Sequence, residues 1–355
     1  MIKIVEVWGA DYLSILKELE TQNDVTHIVF DFLNEIYYVS NTPEYDKIFD
    51  IAHKKNIPIT ILTPYPKDLP PLLNFDNEKY KNVNIIHWES FWFNRTYEAW
   101  KPHERLNIPK GLDIVNPLTN KRPNIKFPYI TLNNIAKHHR CLVMDLLAKH
   151  NLIESGAIAW RDINHACNDI RHTFPEDVTD SVYMGYQYKY WKPKRMILDQ
   201  GINDRFLQET LPTEFTQSFM QLVTESDDSV IFHSEKTVTP ILLNKPFLIA
   251  SAKGHHNKLK DMGFQLYDEV FDYSFDTEMD INVRYEGLIE NVKRISLLSE
   301  TELNTLHSSI FEKLAYNKQH ALKLIRNIPE EIQDVLSLLK QENQGIPLGS
   351  LNMFL

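Results

Sequence analysis

Two short stretches of this chain set cations beside places where a backbone turns into a helix. The first is Ser234-Glu235-Lys236-Thr237, inside VIFHSEKTVTPILLNKPFLIA. A serine after a polar turn and before an apolar run is a helix-start signal. The first turn of a helix offers N–H groups and the positive end of the dipole. With a lysine and a carboxylate added, such a start suits a phosphorylated, ribose-bearing ligand. Lys236 would neutralise a diphosphate and Glu235 would accept hydrogen bonds from ribose hydroxyls. Ser234, Thr237 and the backbone would cap the helix and touch phosphate. The same residues also suit a plain solvent-facing helix start, where Ser and Glu are favoured for capping alone. Pro240 has no N–H, so it predicts a helix that is short, kinked or begins after Ser234.

The second stretch is Asn133-Asn134 with His138-His139-Arg140, between an apolar strand and a leucine-rich helix. Asn134, His139 and Arg140 are candidate ligand residues there. An arginine in the first helical turn can bond a diphosphate bidentately. The competing reading is a surface arginine paired with Asp145 or Glu154. Neighbouring residues on a helix diverge in direction, so the two histidines are not expected to share a metal.

The elements that must position these residues alternate. Strands are expected at 3–9, 26–32, 57–62 and 82–88. Helices are expected at 11–19, from Thr42-Pro43 to about Lys55, and at 90–100. This order predicts a parallel, helix-covered sheet. Residues 101–126 have no periodicity and read as a linker. A second series follows: strand 127–132, helix 139–150, a short strand at 157–160, and weak signals over 161–211. Then come a strand from 218, the Ser234 helix, a strand at 247–250, a glycine turn, a helix and a final strand ending at Asp268. Helical patterns fill 280–299 and 300–327, and Pro329 opens a last helix to about Gln341. The expected fold is therefore α/β, with two Rossmann-like domains facing a cleft and C-terminal helices. Residues 1–120 form an acceptor domain, 121–328 a donor-binding domain, and 329–355 a terminal helix and tail. Ligands of such domains lie at the carboxyl ends of the strands, where both stretches fall.

The composition is that of a globular chain, 43% hydrophobic and 24% charged. A net charge of −10 disfavours broad, non-specific nucleic-acid binding. One local segment, YKYWKPKR from Tyr188 to Arg195, combines bases and rings that can stack on nucleic acid, or forms a solvated loop. The two cysteines, Cys141 and Cys167, have no metal-type spacing. No apolar run reaches the length of a membrane span, and a cytoplasmic setting is expected. His255-His256, after Gly254, read as an exposed turn. Asp268, Asp272 and Asp276 read as a solvated acidic run.

Taken together, the Tyr129-Ile-Thr-Leu-Asn-Asn…His-His-Arg140 stretch, its leucine-rich helix, and the S-E-K-T…P…N-K-P-F-L-I segment followed by Gly263-Phe264 resemble glycosyltransferase-like proteins of phage and bacterial genomes. The second segment is also similar to the S-E-K box of fucosyltransferases of the two-Rossmann (GT-B) class. The likeness spans residues 127 to 290. It implies Lys236 at a diphosphate, Glu235 at a ribose and Arg140 at phosphates. It implies a hexosyl- or pentosyltransferase whose donor is a nucleotide-diphosphate sugar. The first 125 residues carry no likeness, so the acceptor stays open between a glycan, a protein and a modified DNA base. If the chain is phage-encoded, the host cytoplasm is the setting. Where the fucosyltransferase box continues with small residues and glycine, this one reads Val-Thr-Pro-Ile, so fucose is not specified.

No Asp-x-Asp tripeptide occurs in the chain. No cofactor and no essential metal are expected. A departing diphosphate would then be stabilised by cations and helix N-termini. Transfer with inversion needs a general base, for which Asp31 and Glu89, at strand ends of the first domain, are candidates. Two other classes remain open: a nucleic-acid-binding or DNA-base-modifying protein, and a non-catalytic structural protein with a degenerate transferase fold.

Overall fold

The computed structural model describes residues 2–6, 12–21, 24–33, 43–64, 80–97, 125–133, 136–160, 182–183, 186–191, 196, 198 and 212–342. These residues form parallel α/β sheets followed by helices, an arrangement compatible with Rossmann-like folding. The chain divides into two compact units. One comprises residues 1–95 together with 324–355, and the other comprises 96–323. The last helix thus belongs with the first unit.

In the first unit, β1 (Ile2–Glu6), α1 (Tyr12–Thr21), β2 (His27–Asp31), α2 (Pro43–Lys54), β3 (Ile59–Thr63) and β4 (Val83–His87) alternate as the sequence predicts. The sheet order is β1-β2-β3-β4, with every neighbouring pair parallel. Each crossover moves the sheet the same way, so right-handed connections place α1 and α2 on one face. Strand periodicity does the rest. Ile28 and Phe30 of β2, with Ile59 and Ile61 of β3, pack against Leu16, Leu19, Ile48, Phe49 and Ala52 of the two helices. Val29 and Asp31 alternate to the opposite face. Beyond β4 comes α3 (91–97). Its Asn94 side chain donates to the Ile325 carbonyl at 2.8 Å, tying the returning C-terminal segment to the unit.

In the second unit, β5 (Phe127–Asn133) leads into α4 (His138–Lys149) and β6 (Ala157–Trp160). A two-stranded ribbon, β7 (Val182–Tyr183) with β8 (Tyr186–Gln187), precedes α5 (Thr213–Gln217) and β9 (Ser218–Thr224). Then come α6 (Glu235–Leu242), β10 (Phe247–Ala250) and α7 (His255–Asp261). The parallel sheet has the order β10-β9-β5-β6. The chain leaves β5 to one side for β6 and returns on the other side at β9. That reversal is a topological switch point, where adjacent connections leave to opposite faces and open a crevice at the carboxyl ends. All seven residues of β9 and all four of β10 are buried. This is why β10 reads as an unbroken apolar run, and β9 as a mainly apolar one, rather than as alternating strands.

Two expectations are corrected. Residues 264–267 do not form a strand. Instead the buried Asn317 side chain takes the place of a neighbouring strand: it accepts from Gln265 N at 2.8 Å and donates to Gln265 O at 2.8 Å. The amide thus meets the backbone's need for partners without a ladder. The helical pattern over 300–327 is two helices, α9 (Glu300–Ser309) and α10 (Phe311–Arg326), after α8 (Ile281–Ser296). A Ser299–Glu302 capping box opens α9. At its end the Ser308 and Ser309 hydroxyls bond back to the carbonyls of Asn304 and Leu306. The last helix, α11, runs Glu330–Glu342. No helix among the described residues is long and apolar enough to cross a membrane.

Candidate functional site

The switch point between β5 and β9 is closed by a hydrogen bond. Thr224, the last residue of β9, donates through Oγ1 to Asn133 Oδ1, at the end of β5, at 2.6 Å. The next residue, Glu225, is the centre of the site. Its side chain is fully buried. The carboxylate accepts from Ser226 N (2.8 Å), Ser234 N (3.1 Å), Ser234 Oγ (2.6 Å) and Thr237 Oγ1 (2.6 Å). Its carbonyl accepts from His139 Nε2 and from an Arg140 guanidinium nitrogen, each at 2.9 Å. Lys137 adds a bond to the Ser226 carbonyl. Residues from the start of α4 therefore grip the loop after β9, and that loop in turn holds the start of α6. The two stretches singled out in the sequence meet through this one glutamate.

Within Ser-Glu-Lys-Thr the residues divide. Ser234 is the N-cap of α6, its hydroxyl accepting from Lys236 N at 3.2 Å. Ser234 and Thr237 are fully buried, with their hydroxyls bonded to Glu225. Glu235 and Lys236 keep 20% and 14% of their side chains exposed. They pair at 2.6 Å, and the ammonium also reaches Ser226 Oγ at 3.0 Å. Burial disfavours the charged Glu235 carboxylate, but Lys236, and behind it Arg140, outweigh this and hold its pKa below the usual range. The helix ends after eight residues, with Pro240 inside it. It is short, and it begins directly after Ser234.

Arg140 and His139 are buried, while their neighbour His138 is exposed. Burial, and then the adjacent Arg140 charge, push the His139 imidazole down to about 3. It is neutral, and it must donate from Nε2, because a carbonyl can only accept. Arg140 does not pair with Asp145. That carboxylate is buried and accepts from the backbone N–H groups of Lys189, Tyr190 and Trp191 at 2.7–3.2 Å. It thereby fixes the YKYW segment. Tyr188 and Trp191 are buried, and Trp191 lies edge-on to both Tyr188 and Trp160, so these two rings pack rather than stand open. Tyr190 faces out, 57% exposed.

Two further expectations are corrected. His255 and His256 are fully buried rather than an exposed turn. His255 Nε2 lies 2.8 Å from His233 Nδ1, bridging the loops after β10 and β9. Burial, then the neighbouring His256, takes the His255 imidazole down to about 3, and burial with His255 takes His233 well below its usual value. Asp276 is not part of a solvated run: it is buried and accepts from His256 Nδ1 at 2.8 Å and from the N–H groups of His256 and Asn257. It caps α7, which Gly254 starts with a left-handed φ of 81°. Asp268 and Asp272 are exposed.

In the first unit Asp31 is buried at the end of β2, its carboxylate accepting from Leu33 N at 3.2 Å. Glu89 is half-buried, two residues past β4. Both lie on the carboxyl edge of that sheet, on strands separated by β3. Asn134 lies outside the described residues. Among the described residues no group of three or more His, Cys, Asp or Glu is placed to hold a metal ion.

Glu225 is the residue that sequence reasoning missed, having read it as part of a polar turn. A signal existed: Ser234 and Thr237 lie three apart, on one helical face, beside an apolar core. Hydroxyls so placed need a shared acceptor, and a carboxylate ending a buried strand can supply it. No family model, curated protein or solved structure matches this chain.

Proposed function

We propose that the second unit binds a nucleoside-diphosphate sugar over the β5–β9 switch point, and that the protein is a glycosyltransferase needing no essential metal. The observation that carries the reading is the Glu235–Lys236 pair. It is the partly exposed half of a helix start whose other half is locked into the core, at the carboxyl edge where α/β sheets take ligands. Lys236 then meets the diphosphate and Glu235 the ribose hydroxyls, with the Arg140 guanidinium adding positive potential from beneath. In the reaction the bond from the anomeric carbon to the diphosphate oxygen breaks, and the diphosphate leaves with the electron pair. The acceptor oxygen bonds the anomeric carbon and gives its proton to a base. Asp31 or Glu89 takes that part in a GT-B enzyme. The acceptor is a glycan, a protein or a modified DNA base.

The test is a thermal-shift and hydrolysis screen over a panel of nucleotide sugars, with EDTA present. Stabilisation by at least one member, lost in Lys236→Ala, supports the reading. If no nucleotide sugar shifts the melting temperature at millimolar concentration and none is hydrolysed, the proposal fails.

A further inference from the structure

We propose that Glu225 is a positioning residue: an internal anion that fills the N-terminal end of α6 and sets the Glu235–Lys236 pair. This rests on the nucleotide-binding reading above.

A carboxylate with no exposure is costly to bury unless its oxygens are fully served. Here four donors converge on it, two from hydroxyls and two from backbone N–H groups. The positive end of the helix dipole favours an anion at that place. Helix N-termini commonly put their N–H groups on a ligand's phosphate. In α6 most of that capacity is already used. Ser234 N is bonded to Glu225, Lys236 N to the Ser234 hydroxyl and Thr237 N to the Ser234 carbonyl, only the Glu235 N–H being left over. A diphosphate at this site therefore finds one backbone N–H at most, and the Lys236 ammonium is its main partner.

The same contacts fix where that ammonium is. Ser234 and Thr237 anchor opposite ends of the first turn to one carboxylate, so Glu235 and Lys236, between them, have a set direction. Lys236 is further held by Ser226, whose own N–H is bonded to Glu225. All four partners of the carboxylate are donors. A glutamine amide at 225 would turn one of its own N–H groups toward another donor, while an aspartate keeps the charge on a stem one methylene shorter.

The experiment compares wild type, Thr237→Val, Glu225→Gln, Glu225→Asp and Lys236→Ala by calorimetric titration, well below each melting temperature. The probes are ADP, CDP, GDP and UDP, then the nucleoside of the tightest binder and inorganic pyrophosphate separately. Each lost hydrogen bond to the carboxylate is expected to weaken the nucleotide by about tenfold or more. Thr237→Val and Glu225→Gln should weaken the nucleoside and pyrophosphate together, because ribose and phosphate are met on the same turn. Lys236→Ala should weaken pyrophosphate and spare the nucleoside. Glu225→Asp should recover part of what Glu225→Gln loses. If Thr237→Val and Glu225→Gln only lower the melting temperature and leave the dissociation constants at the wild-type value, the positioning role is overturned while nucleotide binding stands. If wild type binds none of the four nucleotides, both fall.

Discussion

Mild acid tests the buried imidazoles of the second unit. His139 and His255 are 2% and 0% exposed, and each has its pKa pushed down to about 3, chiefly by burial. In the unfolded chain a histidine titrates near ~6.5. A base whose folded pKa is depressed is neutral in the native state while the unfolded state takes up a proton. Stability is therefore complete above the unfolded value and falls as pH drops below it, down to the folded value. At pH ~5 each of these histidines costs about 2 kcal/mol relative to pH ~7, by proton linkage. Two of them cost about 4 kcal/mol, and His233 acts in the same sense. This is a large share of the roughly 5–15 kcal/mol that holds a domain together. Carboxylates titrate mainly below this window, and Lys245, which burial lowers to about 7, titrates at its upper edge and above. The assay is urea unfolding at the two pH values, read by pulsed hydrogen exchange in peptides from α4 and α7. With a slope of ~2 kcal/mol per molar urea, the midpoint should fall by about 2 M. Ring nitrogen spectra of the folded protein should show neutral imidazoles for His139 and His255 at pH ~5. A midpoint that holds or rises on acidification, or rings that titrate near ~6.5 in the folded state, would refute the reasoning.

Three further outcomes follow from single contacts. Asn317→Ala removes both partners of the Gln265 backbone and a 3.2 Å bond to the Tyr267 hydroxyl, and should cost roughly 2–4 kcal/mol in a denaturant melt. A loss under ~1 kcal/mol would show that water serves Gln265 equally well. Asp145→Ala strips the acceptor from three consecutive backbone N–H groups, so limited proteolysis should cut at Lys189 in the variant and not in wild type. Gly263→Ala forces a side chain onto a φ of 95° and places its Cβ 2.9 Å from the His320 ring, and should cost at least about 2 kcal/mol in melting experiments.

The parts of the fold that were legible are those decided locally. The strands of the second sheet are short, mainly apolar stretches closed by polar turns, and burial on both faces is enough to specify them. Pro43 stands at the first turn of α2, where its fixed φ and missing N–H do no harm. What was hidden depends on partners far along the chain. Residues 264–267 have the apolar alternation of a strand, but the Gln265 backbone within them is served by one amide about fifty positions later. Asp276 looks like surface charge until His256 and two N–H groups arrive to serve it. The His233–His255 contact joins two loops that neither periodicity nor spacing links. Burial of a polar group is a property of its donors and acceptors, and a sequence does not show them unless they lie a helical turn away.

The Ser-Glu-Lys-Thr stretch illustrates the same division inside four residues. Positions three apart on a helix share a face. Ser234 and Thr237 therefore turn inward together, and Glu235 and Lys236 turn away from that face. The inward pair is required by the buried Glu225 carboxylate whatever the protein binds, since losing either hydroxyl leaves part of a buried charge unserved. The outward pair is tied less deeply: Glu235 and Lys236 bond one another, and the ammonium reaches the Ser226 hydroxyl. Ser234 and Thr237 are thus poor witnesses to function. The adjacent Glu235 and Lys236 keep an exposed fraction that a ligand can reach, and Ser234 and Thr237 do not.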